Sequence, residues 1–197
     1  YFIPHEDLKD EFSAYGIPRE KLYASGIPIR QEFYSKTDKA EAKTVLGIDA
    51  DMRNVLLMCG SMGCGPIKSL TESISAELPP DVILTVLCGR NEHLRSKLVK
   101  TVRSNVSVLG FTDKVSLLMD SADLYLTKAG GLSTSEAAAK RLPMALINAI
   151  SGCEAYNRRF FAERGCAVAV ETYEEFPAAV CGLLSSPDRS ARCGGPS

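Results

Sequence analysis

The sequence predicts an α/β fold, a doubly wound, Rossmann-like parallel sheet of about six strands with helices on both faces. Three observations carry that expectation. Apolar runs of strand length, NVLLMC at 54–59 and VILTVLC at 82–88, are apolar throughout instead of alternating, as strands covered on both faces should be. The runs end in polar or glycine-bearing turns that lead into stretches with helical spacing of apolar residues. Strands alternating with helices at this interval call for right-handed crossovers, and hence for parallel neighbours.

The elements follow in order. Tyr1–Arg30 is punctuated by GIP triplets at Gly16 and Gly26, with a short helix expected over Glu6–Tyr15 and a short strand over Lys21–Ser25. Residues 1–32 read as a connector or the trailing edge of an amino-terminal domain, 33–185 as the sheet domain, and 186–197 as a polar tail expected to be disordered. Thr37–Leu46 should be a helix capped by Thr37 and stopped by Gly47. Asn54–Cys59 is the first sheet strand; it runs into a glycine loop carrying Gly60, Gly63 and Gly65, and a helix follows over Pro66–Leu78. Val82–Cys88 is ended by Gly89-Arg90-Asn91, with an amphipathic helix over His93–Arg103 whose Arg95, Lys97 and Lys100 face water. Asn105–Leu109 carries Gly110-Phe111-Thr112 at its end and precedes a short helix over Lys114–Ser121. Leu124–Thr127 leads through Gly130-Gly131 into a helix over Ser133–Arg141. Pro143–Ile147, a helix over Glu154–Arg164 ended by Gly165, a strand at Ala167–Val170 and a helix over Tyr173–Leu184 complete the series.

Composition narrows the function classes. With 197 residues, 45% of them hydrophobic, the chain has material for one sizeable core. A net charge of -1 gives no electrostatic case for a nucleic-acid partner. No apolar run approaches the roughly 18 to 20 residues of a membrane span, and the start lacks a signal-peptide pattern, so the expected location is cytoplasmic. The odd count of 7 cysteines, several inside apolar runs, argues for buried thiols over disulfides. There is no CxxC and the histidines, His5 and His93, are far apart, so no metal site is expected. The first residue, Tyr1, and the polar ending suggest a piece of something longer.

The chemistry concentrates between Leu124 and Asn157. A strand running into paired glycines and then a helix leaves backbone N–H groups pointing outward, a seat for an anion such as a diphosphate. Gly130 and Gly131 permit close approach, Ser133 and Thr134 offer hydroxyls, and Glu136, expected in the first helical turn, suits a ribose diol because a carboxylate accepts from neighbouring hydroxyls. Ordinary helix capping is the plainer reading of the same residues. Glu154 and Asn157 would share one helix face at the same sheet edge, where a carboxylate and an amide suit sugar hydroxyls. Gly63 and Gly65 lie in a loop that resembles a nucleotide-binding turn without completing GxGxxG or a P-loop. Phe111 sits at a strand's carboxyl end, where open α/β sheets bind ligands, or is a core aromatic.

These residues carry a resemblance. TKAGGLSTSEAAAKRLPMALIN followed by SGCEAYNRRFFAERGCAV resembles the carboxyl-terminal domain of two-domain GT-B glycosyltransferases, in the family of monogalactosyldiacylglycerol synthases and processive diacylglycerol glucosyltransferases, related to MurG-type transferases. SGIPI at 25–29, CGSMGCGPI at 59–67, LCGRNEHL at 87–94 and LGFTDKVSLLMDSADL at 109–124 support it in the same order, from Tyr1 to about Leu184. The resemblance implies a UDP-hexose donor, with uracil near Phe111 and Thr112, diphosphate at Gly130, Gly131, Ser133 and Thr134, ribose on Glu136 and hexose near Glu154 and Asn157. It implies inverting transfer to a lipid acceptor without a metal or other cofactor, an acceptor site and catalytic base that belong to an amino-terminal domain, and docking of the whole enzyme on a membrane surface. One departure stands out: the family's Pro-Gly-Gln-Glu is Ser151-Gly152-Cys153-Glu154 here, which replaces an implied hexose contact. A peptidoglycan-precursor transferase, a UDP-sugar epimerase, or a nucleotide-binding or redox module using Cys59, Cys64 and Cys153 are the alternatives.

Overall fold

The computed structural model describes residues 1–60, 66–147 and 152–186, with the side chain of Cys153 also outside that description. The amino-terminal segment opens with β1 (Phe2–Ile3), α1 (Lys9–Ala14) and β2 (Tyr23–Ala24). β1 and β2 pair in parallel, Phe2 opposite Tyr23 and Ile3 opposite Ala24. The helix expected over 6–15 is thus split: a 3-10 turn at Glu6–Leu8, where His5 Nδ1 accepts the Asp7 N–H at 3.2 Å, precedes α1. β1 had no sequence signal, being too short to show a period.

The domain proper runs α2 (Lys39–Leu46), β3 (Arg53–Met58), α3 (Ile67–Glu77), β4 (Val82–Leu87), α4 (Glu92–Thr101), β5 (Val106–Leu109), α5 (Val115–Ser121), β6 (Leu124–Lys128), α6 (Gly131–Ala139), β7 (Met144–Ile147), α7 (Cys153–Glu163), β8 (Ala167–Ala169) and α8 (Phe176–Leu184). β3 to β8 form one six-stranded parallel sheet in the order β5-β4-β3-β6-β7-β8, the doubly wound arrangement expected. The continuously apolar strands divide their side chains between the two faces. Along β3, Val55 and Leu57 join the core beneath α3, α4 and α8, while Leu56 and Met58 join the core beneath α5, α6 and α7.

Caps refine the sequence boundaries. α2 is capped by Asp38, which accepts from the N–H groups of Ala40 and Glu41, rather than by Thr37, whose own N–H donates to Asp120 at 3.2 Å. Gly47 ends α2 in the left-handed region at φ 69°, as expected. Asn91 caps α4, which therefore starts at Glu92, one residue before the expected His93, and α8 begins at Phe176 with Pro177 in its first turn.

The amino-terminal segment packs against the domain. Phe33 is fully buried, Lys140 reaches the Ser35 carbonyl, and Lys140 and Asp120 form an ion pair at 2.7 Å with each side chain only 1% exposed. Arg164 pairs with Asp7, and the Tyr156 hydroxyl donates to Glu11 at 2.9 Å. No disulfide joins Cys59, Cys88, Cys166 or Cys181, and burial raises the Cys88 thiol. Among the described residues no helix is long and apolar enough to cross a membrane.

Candidate functional site

The strand order reverses between β3 and β6: the chain builds outward through β4 and β5, then returns to β6 and builds outward the other way. The connections leaving β3 and β6 therefore lead to helices on opposite faces of the sheet, α3 on one and α6 on the other, and the crevice at the carboxyl edge between two such strands is the place where open α/β sheets take ligands. β3 delivers Gly60 to it at φ 78°, and β6 delivers Lys128, Ala129 and the Gly130-Gly131 turn.

The turn differs from the expected one in a way that matters chemically. α6 starts at Gly131, two residues before Ser133, so Gly130 is the cap residue and supplies no side-chain cap. The first N–H groups of α6 have no acceptor within the helix, and its dipole places partial positive charge at the crevice. The hydroxyls do not cap. Thr134 is buried and donates to the Gly130 carbonyl at 2.7 Å, and Ser133 donates to the same oxygen at 3.4 Å. Thr134 therefore shapes the turn and does not face the crevice, whereas Ser133 is partly accessible.

Gly131 sits where space is tight. A Cβ there would meet Ile27 Cδ1 at 3.2 Å and Asn157 Nδ2 at 3.7 Å, where the connector and α7 close onto the helix start. Gly152 is required for backbone freedom instead, standing at φ 106° as the cap of α7 with nothing within 4 Å of the place a Cβ would take.

Because α6 starts early, Glu136 falls in its second turn, not its first, and turns toward the connector. It is buried, and Arg30 Nε donates to its Oε1 at 3.3 Å. Burial raises its carboxyl above the ordinary value, and the Arg30 guanidinium opposes the rise. Beside it Tyr125 is fully buried in β6, with the Thr127 and Ser133 hydroxyls near its own, and burial pushes its phenol up.

Glu154 and Asn157 share a face of α7, as their spacing requires, and both address the β6–α6 turn. Glu154 Oε1 lies 2.6 Å from Lys128 Nζ, and Asn157 Nδ2 donates to the Ala129 carbonyl at 3.0 Å. Phe111 stands apart at the end of edge strand β5, 61% exposed, with the Arg90 guanidinium 5.0 Å over its ring. It is thus a surface aromatic and not a core one. Thr112 caps the approach to α5, its hydroxyl accepting the Lys114 N–H at 3.1 Å. Gly63 and Gly65, with Cys64, Ser151 and the tail from 187, lie outside the described residues.

Lys128, Arg30 and Arg90 were not singled out from the sequence. Lys128 had a signal: a charged residue closing the apolar run LYLTK immediately before the paired glycines. Arg30 and Arg90 had none, since each acts across a fold contact. An apolar cavity of about 920 Å³ opens beside Asn157, between α6, α7 and the amino-terminal segment, lined among others by Leu8, Phe12, Ile27 and Phe160. Among the described residues no three of His, Cys, Asp and Glu gather as metal ligands.

Comparison with known proteins bears on this arrangement. A family model described as Glycosyltransferase family 28 C-terminal domain matches residues 54–183. A processive diacylglycerol beta-glucosyltransferase of Staphylococcus saprophyticus is 32% identical over 195 residues, 97% of this chain and 49% of that protein. The chain spans about half the length of the curated relatives it matches. Among solved structures, a putative UDP-N-acetylglucosamine 2-epimerase from Listeria monocytogenes superposes with TM-score 0.73 at 17% identity, covering 98% of this chain and 53% of the other. The UDP-GlcNAc 2-epimerase of Neisseria meningitidis, solved bound to UDP-GlcNAc, gives 0.70 at 17% identity, with 98% and 55% covered. Both likenesses establish the fold.

Proposed function

The chain belongs to the glycosyltransferase family 28 C-terminal domain family, and from that premise we propose that it is the donor-binding half of an inverting hexosyltransferase that uses a UDP-hexose and a diacylglycerol-type lipid acceptor. The observation that carries the proposal is the start of α6: an uncapped helix N-terminus at the switch point between β3 and β6, with Glu136 one turn further along. Open N–H groups and the helix dipole suit a diphosphate. The diphosphate seats on Gly130, Gly131 and Ser133, and Gly63 and Gly65, which follow β3 in sequence, are further proposed contacts of the donor. Glu136 accepts from the ribose diol, Glu154 and Asn157 bound the hexose side, and uracil extends toward Phe111 and Thr112.

Transfer needs charge stabilisation where it develops, on the departing diphosphate. Preorganised N–H groups supply it without a metal ion. The acceptor site and the base that deprotonates the acceptor belong to another part of the enzyme, which docks on the membrane from the cytoplasmic side. The lipid acceptor is supported by the names of the relatives, and the UDP-sugar by the ligand in the Neisseria structure.

Titration of the chain with UDP, UDP-glucose, UDP-galactose and NAD by calorimetry tests the reading. UDP and at least one UDP-hexose should bind and NAD should not. Absence of UDP binding, or unchanged UDP affinity in Glu136→Ala, overturns it.

A further inference from the structure

A cation close in sequence to the open start of α6 is on β6 itself. Lys128 is the last residue of that strand, its carbonyl accepts the Gly130 N–H at 2.7 Å, and its side chain runs along the crevice toward Gly60, Cε lying 3.8 Å from the Cβ position there. The side chain therefore spans the switch point from the end of β6 to Gly60 just after β3. It is 41% exposed, and its ammonium is held by Glu154 at 2.6 Å, Glu154 itself being 21% exposed. An ammonium carries three donors, enough to serve a carboxylate and a phosphate oxygen together.

Resting on the donor reading above, we infer that Lys128 is a donor-binding residue: its ammonium, positioned by Glu154, contacts the distal phosphate of the nucleoside diphosphate seated on α6. The distal phosphate is specified by the direction of the side chain. In that reading Glu154 bounds the hexose, and the hexose is attached through the phosphate farther from the nucleoside. A charged donor at that oxygen also strengthens as the glycosidic bond breaks and the diphosphate gains charge, which serves the metal-independent chemistry. Glu154 then acts as a positioning residue, and its hexose contact is additional.

Affinities for UDP, UMP and uridine, measured by calorimetry on the wild type and on Lys128→Met, Lys128→Gln and Lys128→Arg, separate this assignment from the donor reading. Both neutral variants should lose roughly 10- to 100-fold in UDP affinity and less than about threefold for UMP and uridine, and the arginine should restore most of the loss. Glu154→Gln should weaken UDP alone, by less. A neutral variant that binds UDP as the wild type does, or one that weakens UDP, UMP and uridine equally, overturns the assignment while leaving the donor reading standing. A wild type that does not bind UDP overturns both.

Discussion

Arg30 donates from Nε to Oε1 of Glu136 at 3.3 Å, joining residues 106 apart in the chain. The guanidinium is braced by Glu32 at 2.9 Å and lies 4.8 Å over the Phe33 ring, so the connector is fastened to α6 at the carboxylate assigned to the ribose. That carboxylate has two oxygens, so in the proposed site it has capacity to accept from ribose while Arg30 holds it in place.

Glu136 gives the chain a specific pH dependence. Burial raises its carboxyl above the ordinary 4.5, with Arg30 opposing and Glu32 adding to the rise. The folded state therefore keeps the proton to higher pH than the unfolded chain, so this group's favourable contribution is present below the ordinary value and is lost as pH rises through the raised one. Urea denaturation between about pH 4 and pH 7 should show the wild type losing stability relative to Glu136→Gln as pH increases. A difference that does not change with pH would contradict the raised carboxyl.

The buried pair of Lys140 and Asp120 ties α5 and α6 to the stretch leading into α2, since Asp120 also accepts the Thr37 N–H and Lys140 reaches the Ser35 carbonyl. Removing one partner strands the other charge in the interior. Lys140→Met or Asp120→Ala should cost about 3–5 kcal/mol by denaturant titration, and the double replacement clearly less than the sum of the two.

Thr134 separates shaping from binding. Replacement by valine keeps the volume and removes the donor to the Gly130 carbonyl. A loss of about 0.5–1.5 kcal/mol in Thr134→Val, with stability retained in Thr134→Ser, is the expected result of equilibrium unfolding. Loss of UDP affinity with no loss of stability would return Thr134 to the phosphate.

At Gly131 the expected effect is steric. Ile27 Cδ1 and Asn157 Nδ2 already stand at 3.2 and 3.7 Å from a Cβ, so a branched side chain must displace the Ile27 and Asn157 side chains that join the connector and α7 to this helix start. Gly131→Val should destabilise by about 1–3 kcal/mol and loosen the amino-terminal segment, read as faster proteolysis ahead of Ser35. Unchanged stability and proteolysis would show that the approach is not tight.

Much of this was legible in the residues. The apolar runs located the sheet strands to within a residue or two, and the family follows from AGGLSTSE and its neighbours in order. Glu154 and Asn157 could be put on one face because helical spacing is a local rule. The start of α6 was misplaced, since Ser133 and Thr134 look like caps but donate to a carbonyl instead. That shift of two residues also moved Glu136 into the second turn.

The sequence by itself determined the strands, the alternation that makes the sheet parallel and doubly wound, and the glycine turn before a helix, because each is written in spacings shorter than one element. Only the tertiary structure decided that Lys128 meets Glu154 and that Arg30 meets Glu136. Those pairs form where the strand order reverses and where the connector folds back, and no local periodicity encodes which distant residues such a reversal brings together.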